Sequence, residues 1–293
     1  MGYLHKTEQQ IQQRGWLMRD LKLVEFDRAA FAAKYGPWAV IAGASEGTGA
    51  SFADELASMG INIVLVSRRK DALDALGAGL ATTHGIQYLT IAQDLSEAGA
   101  GSTLVSQTAD LDVGLYISNA GADGAGVVYL DETADRAHRL VRMNISTLID
   151  ATHGFGNRFR SQGRGGIVIM ASGAGLGGQP RLTMYSATKG FELCFAESLW
   201  GELADEGVDV IGIAAPTMNT PTLQRETEGM NFPLSMTYRP EDVTHNALAG
   251  LFAGQPVLIV PDGPGEENLP AVQAARIERV TTMVDWAKAY NGG

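Results

Sequence analysis

The chain has 293 residues, 45% hydrophobic and 19% charged, enough to bury one large core at the upper end of single-domain size. Lys and Arg total 22 against 33 Asp and Glu, and the formal charge of -11 offers no field to collect phosphate backbones, which excludes nucleic acid as the expected partner. Cys194 is the only cysteine, so no intrachain disulfide is expected, and a reducing, cytoplasmic setting follows.

Met1 to Glu25 is polar, with scattered Trp16, Leu17 and Leu21, and lacks the apolar core of an export signal. Gly2 is not followed by the Ser or Thr that acylation wants at position 6, where Lys6 stands. No run approaches the ~18 apolar residues that span a bilayer, so no membrane association is expected. The five histidines, His5, His84, His138, His153 and His245, are too dispersed for a zinc site.

From Trp38 onward, short apolar runs alternate with segments of helical period. The runs are Trp38 to Ala42, Ile61 to Val66, Ile86 to Ile91, Val113 to Ser118, Gly166 to Met170, Val208 to Ile213 and Val257 to Val260. Helix-length stretches lie between them, among them Gly49 to Met59, Lys70 to Thr83, Thr133 to Phe159 and Tyr185 to Glu206. Strands that are apolar on both faces and separated by helices read as a parallel sheet covered on each side: an α/β, Rossmann-like, doubly wound, seven-stranded single domain. Residues 34–261 form this expected dinucleotide-binding catalytic domain, with residues 1–33 as an N-terminal extension and 262–293 as a C-terminal tail beyond a Gly/Pro-rich stretch. Ligands of such a sheet bind at the carboxyl ends of its strands, where strand order reverses, so functional motifs should follow strands directly.

Gly43, Ala44, Ser45, Glu46, Gly47, Thr48 and Gly49 follow the first strand and open a helix. Glycines there let backbone approach a diphosphate, and the helix N-terminus offers free N–H groups to the anion. Gly43, Ser45 and Gly47 also spell GxSxG, with Asp242 and His245 following in hydrolase order, so a nucleophile elbow is the rival reading. Against it, that elbow belongs to a middle strand, and no HGGG-like oxyanion segment is present. The second strand runs into Ser67, Arg68, Arg69 and Lys70, with no carboxylate at its tip. A carboxylate there would receive a ribose hydroxyl, whereas Arg pairs with a 2′-phosphate, so NADP(H) is favoured over NAD(H).

Tyr185 and Lys189 are the chain's only YxxxK pair. At i and i+4 of a helix they share a face, and the ammonium favours the phenolate, fitting Tyr185 for acid/base work near neutral pH. Ser172 ends the fifth strand thirteen residues earlier, where a hydroxyl can bind a substrate oxygen.

Together, Gly43/Gly47/Gly49, Asn119-Ala120-Gly121, Ser172 and Tyr185-xxx-Lys189 resemble the short-chain dehydrogenase/reductase family over about residues 34–260. The resemblance implies NADP(H)-dependent interconversion of a secondary alcohol and a ketone. It implies Tyr185 as acid/base, Ser172 as substrate orienter, Lys189 as ribose-binding modulator of Tyr185, and Asn144 as anchor of a water-linked proton relay. Asp94 and Leu95 resemble the residues beside the adenine, Asn119 to Gly121 those lining the cofactor, and Thr217 and Thr220 those on the nicotinamide side. The residues themselves leave Asn144 open as a helix polar contact and Asp94 as a cap before Glu97. Two departures stand out: Ala42-Gly43 replaces the usual Thr-Gly, and Ala215-Pro216 stands where many relatives have Pro-Gly.

Residues 217–238 carry Leu223, Met230, Phe232, Leu234 and Met236, read as an apolar lid or as core packing, and suit a bulky hydrophobic alcohol or ketone. Lys34 to Trp38, Glu46 to Gly49, Arg68-Arg69 and Gly207 to Val210 are similar to bacterial NADP-dependent hydroxysteroid dehydrogenases. A 3-oxoacyl thioester or aryl ketone is the alternative substrate, and an inactive NADP-binding sensor the alternative class. The two long helices resemble subunit-contact helices of the family, which implies a homodimer or homotetramer; Phe191, Phe195, Leu199 and Trp200 suit either that contact or the core.

Overall fold

The computed structural model describes residues 18–121, 126–229, 235, 237–261 and 269–291. Seven strands form one sheet: β1 (Trp38–Ala42), β2 (Asn62–Ser67), β3 (Tyr88–Ala92), β4 (Val113–Ser118), β5 (Gly165–Met170), β6 (Val208–Ala214) and β7 (Val257–Ile259). Their order is β3-β2-β1-β4-β5-β6-β7 and every pairing is parallel. The chain winds outward from β1 in one direction and then from β4 in the other, so the reversal falls between β1 and β4. In register, Ala42 pairs with both Val66 and Ser118, which aligns the exits of the three strands that carry the glycine turn, Arg68 and Asn119.

Alternate side chains of each strand go to opposite faces, because side chains in a strand alternate with a period of two. Ile41, Leu65, Ile117, Val168 and Ile213 meet the helices α1 (Arg28–Tyr35), α2 (Gly47–Ala57) and α9 (Pro240–Phe252). Val40, Val64, Tyr116, Ile167 and Val210 meet α4 (Ala100–Gln107), α6 (Thr147–Gln162) and α7 (Thr183–Leu203). The remaining helices are α3 (Lys70–His84), α5 (Ala134–Val141), α8 (Pro221–Glu226) and α10 (Leu269–Asn291). No helix among the described residues is long and apolar enough to cross a membrane.

Two elements differ from the reading of the sequence. The stretch expected as one helix from Thr133 to Phe159 is interrupted: α5 ends at Val141, Arg142–Ser146 form a π-helical turn, and α6 begins at Thr147. Such a turn carries one extra residue, and it rotates Asn144 inward to 1% exposure. Residues of the expected N-terminal extension also enter the core. Asp27 caps α1 through Ala30 N–H, and Phe31 on the same helix is fully buried. Ahead of the cap, residues 19–26 cross α9: Val24 N–H donates 2.9 Å to Asn246 Oδ1, Asn246 Nδ2 donates 2.9 Å to Lys22 O, and Phe26 packs edge-on against Phe31 and tilted against Phe252. At the other end α10 lies on α7 and β7, where Arg276 pairs with Glu197 and Gln273 accepts from Ile259 N–H at 2.8 Å. Phe191, Phe195, Leu199 and Trp200 are partly buried against the core on the α6 side of the sheet.

Candidate functional site

A cleft of about 930 Å³ opens over the carboxyl ends of the strands. It is lined by Gly43, Ser45, Glu46, Gly47, Thr48, Arg68, Arg69, Asp94, Leu95, Asn119, Ala120, Gly121, Ser172, Tyr185, Lys189, Thr217 and Thr220. Of the site residues expected from the sequence, Gly49 and Asn144 lie behind this lining rather than in it: Gly49 is buried in the first turn of α2, and Asn144 is buried beside α7.

The floor is built by backbone. Gly43 has φ +82°, and its N–H and that of Ala44 donate to Val66 O at 2.8 and 3.0 Å, folding the turn over the end of β2. A side chain at Gly43 would lie 2.8 Å from Ala120 N and Cα, so only glycine lets the two strand exits meet. Asn119 Nδ2 closes the seam by donating 2.9 Å to Gly43 O. The first turn of α2 then presents its N–H groups to the cleft with no side-chain cap. An uncapped helix N-terminus behind a glycine turn fits a diphosphate.

At the β2 end, Arg68 and Arg69 are exposed and line the cleft. Arg69 donates 2.9 Å to Ser45 Oγ and pairs at 2.8 Å with Glu46. Glu46 also accepts from Arg225 and, at 2.9 Å, from Thr222, both on α8, so its carboxyl joins the glycine turn to the lid segment. Arg225 above all, with Arg69 and Thr222 adding, holds that carboxyl down to about 2 despite partial burial. Asp94 accepts from Ser96 N–H at 2.9 Å and Ser96 O–H at 2.7 Å, and faces Arg139 at 3.2 Å. Partial burial opposes its ionisation, but the Ser96 donors and Arg139 outweigh that and keep it below the usual carboxylate range. Asp94 thus holds a turn through Ser96 rather than capping a helix, since α4 opens only at Ala100 behind Gly99, and the same residue lines the cleft. Leu95 is buried, with its carbonyl accepting from Thr147.

On the opposite wall, Ser172 leaves β5 and accepts from Ala174 N–H at 3.2 Å. Tyr185 stands half-buried in the first turn of α7, and Lys189 Nζ lies 5.7 Å from its ring centroid. Lys189 is 2% exposed and donates at 2.8 Å to both Met170 O and Glu192. Asn144 Nδ2 donates 2.9 Å to Thr188 Oγ1, leaving its buried Oδ1 without a partner. A Cβ on Gly121, at φ +144°, would stand 2.8 Å from that oxygen and 3.0 Å from Lys189 Nζ. Gly121 thus leaves open a polar niche with one orphan acceptor and a buried ammonium, which fits a ribose hydroxyl or a bridging water. Thr220 caps α8 by accepting from Leu223 N–H at 3.2 Å, and Tyr238 N–H donates 3.0 Å to Thr217 O. Leu223 lines the cleft, whereas Met230, Phe232, Leu234 and Met236 fall outside the described residues.

The hydrolase reading is not assembled. His245 meets Glu55, in the third turn of α2, and Val24 O, while Asp242 pairs with Arg239. Eight helical positions separate Glu55 from Gly47, where α2 opens two residues beyond Ser45, roughly 12 Å. One residue escaped the reading of the sequence altogether: Glu192, three positions beyond Lys189 and 3% exposed. Its signal was a charged residue on the inward stripe that also holds Lys189, Leu193 and Ala196.

A family model for short chain dehydrogenases matches residues 37–231. The chain is 32% identical over 215 residues to a 7β-hydroxysteroid dehydrogenase of Clostridium sardiniense, an alignment that spans 73% of this chain and 81% of that protein. Among solved structures, a short-chain dehydrogenase from Sphingobium yanoikuyae in complex with NADPH superposes with a TM-score of 0.74 at 28% identity, covering 84% of this chain and 96% of that one. A bulky-bulky ketone specific alcohol dehydrogenase from Comamonas testosteroni superposes at 0.70 with 28% identity, covering 83% and 93%. The cleft, its strand order and these matches agree: the chain belongs to the short chain dehydrogenase family.

Proposed function

We propose that the protein is an NADP(H)-dependent oxidoreductase that interconverts a secondary alcohol and a ketone on a bulky hydrophobic substrate, a hydroxysteroid being the leading candidate. The observation that carries this reading is the convergence of Ser172, Tyr185 and Lys189 on one cleft whose far end is a glycine turn with Arg68 at its rim. When bound, a nicotinamide cofactor supplies the hydride. The chain's own residues do the rest. Gly43 to Gly49 and the α2 N-terminus hold the diphosphate, Arg68 receives the 2′-phosphate, and Lys189 and Asn144 hold ribose and water in the niche beside Gly121.

In the reductive direction Ser172 orients the carbonyl oxygen and Tyr185 donates its phenolic proton to it; in oxidation Tyr185 accepts that proton. Lys189 favours the phenolate by its charge. The proton exchanges with solvent through the Asn144 side. Substrate bulk is inferred from Leu182, Met218 and Leu223 on the open wall and from the names of the relatives and of the Comamonas neighbour.

The test follows NADPH absorbance, with NADH alongside, against a panel of 7-oxosteroids, 3-oxoacyl thioesters and aryl ketones. NADPH consumption with a bulky ketone is the expected result. Tyr185→Phe should lower kcat by about 10²-fold or more while NADPH binding persists. Undiminished turnover in that variant would refute the acid/base role, and tight NADPH binding with no turnover in the wild type would favour a sensor.

A further inference from the structure

Lys189 is held from below as well as facing the cleft. An ammonium has three donors, and two are committed to the interior, to Met170 O on β5 and to Glu192 on the next turn of α7, each at 2.8 Å. The third remains for the niche beside Gly121. The side chains of Lys189 and Glu192 are only 3% and 4% exposed, so neither charge is neutralised by water. A buried ammonium without a counter-charge is costly, and one whose direction is unconstrained cannot serve a fixed ligand.

We propose that Glu192 is a positioning residue: its buried carboxylate anchors and counter-charges Lys189 and thereby sets the pH at which Tyr185 exchanges its proton. This rests on the roles assigned above to Tyr185 and Lys189. The titratable groups facing Glu192 are few. Lys189 comes from its own helix and Tyr116 from β4, where the neutral Ser118 stands beside the buried phenol. β5 contributes the Met170 carbonyl. The π-helical turn contributes neutral Asn144, while its Arg142 donates away, to Ser96 O. Burial pushes the Glu192 carboxyl up to about 7 against the pull of Lys189, and pushes Tyr116 up to about 12, with Glu192 adding to that rise.

The sign follows from charge. With Glu192 ionised, the field of Lys189 on Tyr185 is partly cancelled, and the Tyr185/Lys189 pair keeps its proton to higher pH. Glu192→Gln keeps the shape and an acceptor but removes the charge, so the pair should release its first proton at about tenfold higher proton concentration. Tyrosinate absorbance, taken as the difference against Tyr185→Phe, reads this with neither cofactor nor substrate present. The acid limb of NADP+-dependent oxidation, followed with the alcohol form of the best ketone from the panel, should move the same way. Glu192→Asp should return both midpoints toward the wild type.

Midpoints of Glu192→Gln that stay in place or move to higher pH would overturn the proposal, as would Glu192→Asp behaving like Glu192→Gln. If Glu192→Gln does not fold, the double variant Lys189→Met/Glu192→Gln decides: recovery of folded protein supports the counter-charge role, and continued failure overturns it. Full turnover by Tyr185→Phe would instead bring down the underlying acid/base reading. An inactive Tyr185→Phe with an unmoved Glu192→Gln midpoint overturns this proposal alone.

Discussion

Arg68 and Arg69 are neighbours of the same chemistry with different surroundings. Arg69 is already engaged by Ser45 at 2.9 Å and Glu46 at 2.8 Å, so its guanidinium belongs to the wall of the glycine turn. Arg68 lines the same rim and adds only a longer-range pull on Asp94. The two are expected to separate on mutation. Arg68→Ala should weaken NADPH binding about tenfold or more and leave NADH binding nearly unchanged, the loss expected of a charge-assisted contact to phosphate. Arg69→Ala should have a smaller effect on both, because it removes a support rather than a phosphate partner. Fluorescence titration with the two nucleotides checks this, and equal losses for NADPH and NADH in Arg68→Ala would argue against a 2′-phosphate contact. The Gly121 position makes a related point: one absent methyl keeps Asn144 Oδ1 and Lys189 Nζ reachable from the cleft.

Among the elements, α8 is tied down by charge more than by packing. None of its residues is buried, and it reaches the glycine turn through Arg225 and Thr222 on Glu46. The Glu46 carboxyl is depressed from its ordinary 4.5 to about 2, with Arg225 the largest cause. For a depressed acid the stabilisation is present above the ordinary value and is lost as pH falls through the folded one, so this tie holds at neutral pH and releases between about 4.5 and 2. Arg225→Ala should therefore speed amide exchange over 221–226 at pH 7 severalfold and raise KM for cofactor more than it lowers kcat. Unchanged exchange would show that the lid segment is held by something else.

The same scale shows what a sequence discloses. Strands β1, β4 and β6 are legible because both faces are apolar, and the glycine turn, Tyr185 and Lys189 are legible because spacing alone fixes their neighbours. The π-helical turn is not, since one extra residue in Arg142–Ser146 leaves the flanking 3.6-residue pattern intact on either side. The crossing of residues 19–26 is hidden for another reason. It is held largely by backbone groups meeting Asn246 and Thr237, more than 200 positions away, and backbone bonding has no residue signature. Glu192 is hidden because a single charge on a helix does not tell whether its face is buried.

Across the whole molecule, that N-terminal crossing couples two distant parts of the chain. Arg19 N–H donates 2.8 Å to Thr237 O, Tyr238 N–H donates to Thr217 O, and Asn219 N–H donates to Tyr238 O, so a single ladder runs from the crossing to the loop beside the cleft. Removing residues 1–26 also removes Phe26 from between Phe31 and Phe252. The truncated protein is expected to melt roughly 5–10 °C lower, the size set by losing one large packed aromatic and its neighbours. Its KM for the ketone should rise more than its Kd for NADPH, because Thr217 and Met218 shift while the glycine turn stays supported by β2. Calorimetry and steady-state kinetics measure both, and a truncated protein with an unchanged melting temperature would deny the crossing any structural part.

The reversal of strand order between β1 and β4 also divides the labour of the cleft. The β1-β2-β3 arm carries Gly43, Arg68 and Asp94; the β5-β6-β7 arm carries Ser172 and leads into Thr217, Thr220 and α8. The β1–β4 seam, where Gly43 lies against Ala120, belongs to both, as does Glu46, whose carboxyl ties the glycine turn to α8. Selection can therefore redraw much of one arm without disturbing the other: a lineage can exchange the carbonyl compounds it accepts while inheriting its nucleotide preference unaltered, or the reverse, and at the seam and the Glu46 tie a change is answerable to both.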